Sequence, residues 1–116
     1  MKPSVASSMK RLTTPFEAGD IPYSSYPRPQ LVRDSFLNLN GRWSLSCRKK
    51  TAVTAVGEIL VPFPPESEVS GIGKTLDADE QWIYERTFTL PDGFCRDRVL
   101  LHFGAVDQTT RVFVNG

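Results

Sequence analysis

Side chains that alternate between apolar and polar with a period of two residues recur along this chain, and this pattern limits the folds open to it. The alternation covers residues 42–47, 82–90, 98–106 and 108–116, and a short apolar run rich in β-branched residues covers 58–64. Turn-forming residues separate these stretches, and no segment shows the 3.6-residue period of an amphipathic helix. The sequence therefore predicts an all-β chain of five strands, arranged as an antiparallel β-sandwich.

The first alternating stretch places Trp43, Leu45 and Cys47 on one side of a strand. The polar residues 48–57 that follow predict a connection with little strand. In the stretch 82–90, Arg86 shares the apolar face, so either its aliphatic stem packs on the aromatic side chains or a bulge shifts the register.

Residues 1–30 differ in composition from the rest of the chain, because four of the nine prolines lie between Thr13 and Gln30. Proline removes backbone donors and disfavours helix in the residue before it. We therefore expect an extended arm over residues 1–30, pinned by Phe16, Tyr23 and Tyr26, and a partial β-sandwich domain over residues 31–116.

The last predicted strand runs into Asn115-Gly116, the dipeptide that suits a type I′ hairpin turn because both central residues need a positive φ. A hairpin turn calls for a return strand, so we expect a sandwich that is incomplete at its C-terminus. An open strand edge and an uncovered apolar face predict self-association of such a chain.

Charge and composition restrict the classes of function. Fourteen basic and thirteen acidic residues give a formal charge of +1, which offers no electrostatic basis for binding nucleic acid or an anionic membrane. The sequence has neither a run of 18 apolar residues nor the apolar core of a signal peptide. The two cysteines form neither a disulfide framework nor a zinc site. We expect a cytoplasmic protein without a cofactor or metal.

Four segments carry a resemblance to a known family: "LNLNGRWSL", "ILVPFPPESEVSGIG", "WIYERTFTLP" and "RVLLHFGAVDQTTRVFVNG". In this order and spacing, over Tyr26 to Gly116, they resemble the N-terminal sugar-binding domain of glycoside hydrolase family 2, the family of β-galactosidases, β-glucuronidases and β-mannosidases. The resemblance implies a jelly-roll-like, galactose-binding-domain-like β-sandwich. It also implies that an immunoglobulin-like domain and a (β/α)₈ barrel follow, and that the barrel supplies both glutamates of the retaining mechanism.

The resemblance therefore implies a truncated, non-catalytic domain of a β-galactosidase-like enzyme that hydrolyses terminal β-glycosides, with a carbohydrate as the partner of the parent enzyme. No catalytic, cofactor-binding or metal-binding residue is expected in this chain. Two alternatives stay open, namely a free-standing carbohydrate-binding module and a non-functional remnant.

One pair of residues is a candidate for the edge of a substrate pocket. In the family, the loop after the "VPF" strand can reach toward the mouth of the active site, which places Glu66 and Ser67 where they could bind sugar hydroxyls. The alternative is a loop that only fixes the sandwich against the barrel. Catalysis by Glu66 with Glu68 is disfavoured, because an open loop does not provide the enclosed pocket that separates the pKa values of two carboxyl groups.

Three further groups of residues have competing interpretations. The aromatic residues Trp43, Trp82 and Tyr84 could stack on a sugar, but their place in alternating strands favours packing in the core. The acidic residues 77–80 lack the spacing of a calcium loop and favour a solvated loop. His102 has no partner in the sequence that would make it catalytic, so a structural role is favoured.

Overall fold

The computed structural model describes residues 19–116. Its regular structure is one antiparallel sheet of three strands, β1 (Gly41–Lys49), β2 (Ala52–Val61) and β3 (Glu80–Glu85), in the order β2-β1-β3. Two single 3₁₀ turns, Pro29–Leu31 and Glu68–Ser70, are the only helical elements in the described part of the chain. The prediction of an all-β fold is confirmed.

The alternation predicted for β1 is also found in the structure. Leu45 and Cys47 are buried and Trp43 is half-buried, whereas Arg42 and Ser44 are exposed. Cross-strand neighbours whose side chains point the same way form one face of the sheet, here called the inner face. Its members are Trp43, Leu45 and Cys47 from β1, Ile59 from β2, and Trp82 and Tyr84 from β3. Leu60, opposite Arg42, is buried on the other face.

The prediction of a polar connection over residues 48–57 is wrong, because most of this segment is strand. A turn at residues 50–51 joins β1 to β2, and Lys49 pairs with Ala52. The alternation of β2 is hidden by a β-bulge: Leu45 pairs with Gly57 and Ser46 with Ala55, which leaves Val56 as an extra residue. A bulge moves the following side chains to the other face, so a period of two is not visible in the sequence.

The last two predicted strands, 98–106 and 108–116, are not strands in the structure, and β3 ends at Glu85, before the predicted limit of residue 90. A strand exists only where another backbone accepts its hydrogen bonds, and the described residues supply none to these segments. The radius of gyration is 17.8 Å, whereas a compact domain of this length has about 13 Å.

Most of the large apolar side chains in the C-terminal third are therefore in contact with solvent. They are Val99, Leu100, Leu101, Phe103, Val106, Val112, Phe113 and Val114, each 46–75% exposed. At the end of this segment Asn115 and Gly116 have φ angles of 58° and 106°. Both thus take the positive φ that the hairpin-turn prediction requires.

Residues 19–28 have no regular structure and are held by two asparagines that precede β1. The Asn40 side-chain amide donates to the Pro22 carbonyl at 3.0 Å, and the Asn38 amide donates to the Tyr23 carbonyl at 3.0 Å. The Tyr26 ring meets the Phe36 ring edge-on at 4.7 Å between centroids. The predicted contact of Phe16 lies outside the described residues, and the boundary at residue 30 stays a prediction.

Candidate functional site

The loop that follows β2, residues 62–79, is organised around the buried hydroxyl of Ser70. Ser70 has 0% exposure. Its Oγ donates to the Ser67 carbonyl at 2.7 Å and accepts from the Ile72 amide at 3.1 Å. Gly71 follows with a φ of 85°, in the left-handed region that glycine tolerates, and its amide donates to the Glu68 carbonyl. The loop therefore has a defined shape without belonging to the sheet.

The sequence-predicted residue Ser67 is used inside this loop. Its hydroxyl donates to the Pro64 carbonyl at 2.7 Å, and its Oγ accepts from the Ser70 amide at 3.3 Å, which makes it the N-cap of the 3₁₀ turn. Glu66, by contrast, is exposed. The structure thus fixes the loop backbone through Ser67 and presents the neighbouring carboxylate to solvent.

Glu66 borders an open cleft of about 540 Å³. The cleft is lined by Glu66, Glu68, Gly71, Ile72 and Gly73. Carboxylates of this kind accept hydrogen bonds from hydroxyl groups.

Glu66 also lies close enough to Tyr84 for its charge to act on the phenol. Burial, and in second place the negative charge of Glu66, raise the pKa of Tyr84. Tyr84 is 40% exposed, so part of its side chain is in contact with solvent. The spacing of 18 positions along the chain gave no signal for this interaction.

A cationic side chain lies over the ring of each of the other two aromatic candidates, Trp43 and Trp82. The Arg86 guanidinium lies 6.0 Å from the centre of the Trp43 ring, and the Lys74 ammonium lies 5.8 Å from that of Trp82. Both indoles are half-buried. The Trp82 Nε1 is buried and has no hydrogen-bond partner among the described residues. Among Trp43, Trp82 and Tyr84, only Tyr84 is exposed to solvent.

Arg86 is fixed by its polar end as well as by the ring. Its Nη1 donates to the carbonyl oxygens of Leu39 and Asn40, and the Trp43 Nε1 donates to the same Leu39 carbonyl at 2.7 Å. The β1–β3 register is continuous from Ser44 to Lys49, so no bulge shifts β3 before Arg86, and the Arg86 guanidinium lies over the Trp43 ring.

The acidic residues of the loop that leads into β3 face a lysine. Lys49 lies 3.5 Å from Asp79 and 4.0 Å from Asp77, and the nearby Asp79 carboxylate is the main cause that raises the pKa of Lys49. Glu80 instead accepts from the Asp77 amide at 3.0 Å. Within residues 19–116, no three His, Cys, Asp or Glu side chains come together in a way that could hold a metal ion. His102 is exposed in the extended C-terminal third.

A second, smaller cavity of about 310 Å³ lies beside the β1–β2 hairpin. Cys47, Ala52 and Val56 supply apolar surface, and Lys49 and Lys74 contribute cations. Cys47 is buried and Cys95 is exposed, and both are free thiols.

The chain was compared with family models, with curated proteins and with solved structures, and none of the three comparisons gave a match. The described residues define an all-β protein built on a three-stranded antiparallel sheet. No helix in the described part is both long and apolar enough to cross a membrane.

Proposed function

We propose that this chain is the first, non-catalytic part of a β-galactosidase-like glycoside hydrolase of family 2. Its three-stranded sheet is then one portion of a jelly-roll-like β-sandwich, and its role is to support a catalytic barrel that hydrolyses terminal β-glycosides. The free thiols Cys47 and Cys95 are compatible with the cytoplasmic location that we expect for it.

The main support for this proposal is a contact between two of the four segments that resemble the family. Arg86 comes from "WIYERTFTLP". Its guanidinium donates to the carbonyl groups of Leu39 and Asn40 and lies over the ring of Trp43, all three from "LNLNGRWSL". Gly41 lies beside this contact, since a Cβ at this position would be at an ordinary van der Waals distance of 3.6 Å from the Arg86 Nη1. Two of the four segments that carry the resemblance are therefore in direct contact in the folded chain.

The uncovered apolar side chains of residues 98–114 support the same proposal. A sandwich buries the inner faces of two sheets against each other, and one sheet alone leaves alternating apolar residues in water. Phe103 is 51% exposed and Phe113 is 75% exposed, which is unusual for residues in strand-like alternation.

Within this proposal, Glu66 borders the substrate pocket of the complete enzyme and accepts hydrogen bonds from sugar hydroxyls. Ser67 contributes by holding the backbone of Glu66 in place. The exposed carboxylate, the adjoining cleft and the partly exposed side chain of Tyr84 support this role.

The first test is to read the gene beyond the codon of Gly116 and to assay its product. We expect further strands, a barrel with two glutamates and release of nitrophenol from a p-nitrophenyl β-galactoside, while the 116-residue chain releases none. Hydrolysis by the 116-residue chain would contradict the proposed non-catalytic role. A stop codon at this point, together with sugar-dependent tryptophan fluorescence of the chain, would favour a free-standing carbohydrate-binding module.

The second test concerns Glu66 in the product of the complete gene. The substitution Glu66→Gln removes the charge at constant size and is expected to raise KM several-fold with little change in kcat, because it weakens ground-state and transition-state binding equally. Glu58→Gln, at an exposed position on the opposite face of the sheet, is the matched control. An unchanged KM in Glu66→Gln would remove this residue from the pocket.

A further inference from the structure

The backbone of β2 turns some of its polar groups away from β1. β1 pairs with one side of β2 only, and the other side, here called the outer edge, has no strand partner among residues 19–116. The Leu60 carbonyl accepts from the Phe63 amide at 3.1 Å, in the loop that follows β2. Alternate residues of an antiparallel strand direct their N–H and C=O groups away from the partner strand. Glu58 lies two residues before Leu60 in the same unbroken register, so its N–H and C=O groups also face the outer edge.

The loop after β2 lies against this outer edge. A Cβ at Gly71 would be 3.9 Å from the Glu58 carbonyl oxygen, so the Gly71 backbone runs beside β2. Leu60 is 1% exposed, although its side chain is on the face opposite to the inner face. The end of β2 that carries the buried residues Ile59 and Leu60 is therefore covered on its free side.

Hydrogen bonds within the loop maintain the shape of this cover. The Lys74 amide donates to the Pro65 carbonyl at 2.9 Å and closes the loop at its base. Inside the loop, the Ser70 Oγ donates to the Ser67 carbonyl at 2.7 Å. Pro65 and Ser70 are both buried. Residues 62–74 thus form a compact unit without taking hydrogen bonds from the β1–β2 pairing.

The other half of β2 is interrupted in a different way. Residues 52–55 lie between the turn at 50–51 and the bulge at Val56, which leaves four exposed residues in regular pairing. Short edges and bulges both make a strand a poor template for a further strand. The register of β3 with β1 contains no such interruption.

We infer that residues 62–74 protect the outer edge of β2 from pairing with other strands, so that this sheet is extended only at β3. An uncovered edge offers its free N–H and C=O groups to any extended segment, and this causes aggregation. A loop that occupies the edge removes these groups from reach. The inference concerns the loop backbone and not the Glu66 carboxylate, so it does not depend on the proposed carbohydrate role.

The double variant Ser67→Ala/Ser70→Ala of the full 116-residue chain tests the inference, because it removes the side-chain hydrogen bonds that shape the loop. Hydrogen exchange should become faster over residues 58–74 and stay unchanged over residues 43–47 of β1. Sedimentation equilibrium should show an association constant about tenfold above that of the parent chain, the effect of one or two new main-chain hydrogen bonds. Ser44→Ala, at an exposed position on β1, is the matched control.

A proline at residue 58 identifies the edge at which the association occurs. Glu58→Pro removes an N–H that faces away from β1, so it leaves the β1–β2 pairing in place and blocks a new strand. Added to Ser67→Ala/Ser70→Ala, it should return the association constant to the parent value. Glu58→Gln keeps the N–H and should have no such effect. In the parent loop, Glu58→Pro should leave association unchanged, because the edge is already covered.

Three results would overturn the inference. The first is unchanged exchange over residues 58–61, or an unchanged association constant, in the Ser67→Ala/Ser70→Ala variant. The second is a rise in association that Glu58→Pro does not reverse. The third does not require the double variant to fold, and it is weaker association of the parent chain on Glu58→Pro alone, since the outer edge of β2 would then already be in use.

Discussion

The Trp43 indole and the Arg86 guanidinium donate hydrogen bonds to the same carbonyl oxygen, that of Leu39. The two donors come from β1 and from the residue just after β3, and the guanidinium also lies 6.0 Å from the Trp43 ring centre. Because Leu39 and Asn40 precede β1 directly, this contact fixes the entry to the central strand and the exit from its neighbour at one point.

Arg86→Ala is expected to lower the free energy of unfolding by about 1–3 kcal/mol, since it removes two hydrogen bonds to half-buried carbonyls and a cation–π contact. Arg86→Lys keeps the charge but lacks the planar guanidinium that donates to two carbonyls and lies over the ring. We therefore expect a smaller decrease in the free energy of unfolding than in Arg86→Ala. Urea denaturation followed by tryptophan fluorescence measures the free energy of unfolding of both variants. The exposed Arg111→Ala serves as control, and an equal effect in that variant would argue against the contact as the cause.

Ser70→Ala is expected to destabilise the chain by about 1–3 kcal/mol, because it leaves the Ser67 carbonyl and the Ile72 amide without the partner that the hydroxyl provides. Hydrogen exchange followed by mass spectrometry should show faster exchange over residues 62–79 than in the parent chain. Ser44→Ala, at an exposed position on β1, should leave both stability and exchange nearly unchanged. Equal exchange in Ser70→Ala and the parent chain would refute the role of this hydroxyl.

Leu45→Ala is expected to cost about 2–5 kcal/mol through lost burial and the cavity that remains. Leu45 is 1% exposed at the centre of the inner face, so few neighbours can collapse into the space. A chain with a small core has little stability in reserve, and we expect loss of the cooperative thermal transition in circular dichroism. Val53→Ala removes a side chain that is 57% exposed and should retain the transition.

The phenol of Tyr84 is expected to titrate above its ordinary pKa of 10.0, because burial and then the charge of Glu66 both oppose ionisation. The folded state holds this proton more tightly than the unfolded chain does. The stability that Tyr84 contributes is therefore present below pH 10.0 and is lost as the pH rises through the raised folded value.

Absorbance at the tyrosinate band, with Tyr84→Phe to assign the signal among the three tyrosines, measures this pKa. Glu66→Gln should lower the pKa of Tyr84 only in part, since burial is the larger cause. Glu58→Gln should leave the pKa of Tyr84 unchanged. A Tyr84 pKa that does not respond to Glu66→Gln would show that the two groups are farther apart than the structure indicates.

The alternation of residues 42–47 was enough to predict β1 and the face that it buries, because a period of two reports directly on a half-buried strand. The alternation of residues 82–90 predicted the strand β3 but neither its end at Glu85 nor the exposure of Tyr84. The same rule failed for β2. There the bulge at Val56 shifts the alternation, and all four residues at 52–55 are exposed, so apolar and polar positions do not mark two faces. Local composition contains no information about where a bulge in a pair of strands lies.

The candidate site was predictable only in part. Glu66 and Ser67 were proposed from the resemblance of the loop, and their part in a pocket stays a prediction. The use of the Ser67 hydroxyl as a cap and the effect of the Glu66 charge on Tyr84 depend on how residues 62–79 fold. Arg86 illustrates the same point, since its position in the alternation allowed either packing of its aliphatic stem on the aromatic side chains or a bulge. In the structure its guanidinium lies over the Trp43 ring and donates to the Leu39 carbonyl, both more than 40 positions away along the chain.

The sequence by itself determined the class of this protein, because alternating side chains, turn residues and the lack of a helical period leave an all-β chain as the consistent fold. Tertiary structure alone decided which alternating segments became strands. Residues 98–116 have the side-chain pattern of strands, but a strand also needs backbone donors and acceptors opposite its own, and none of the described residues offers them. Hydrogen-bond pairing between distant segments depends on the folded arrangement, so the sequence of one segment alone does not show whether it will pair.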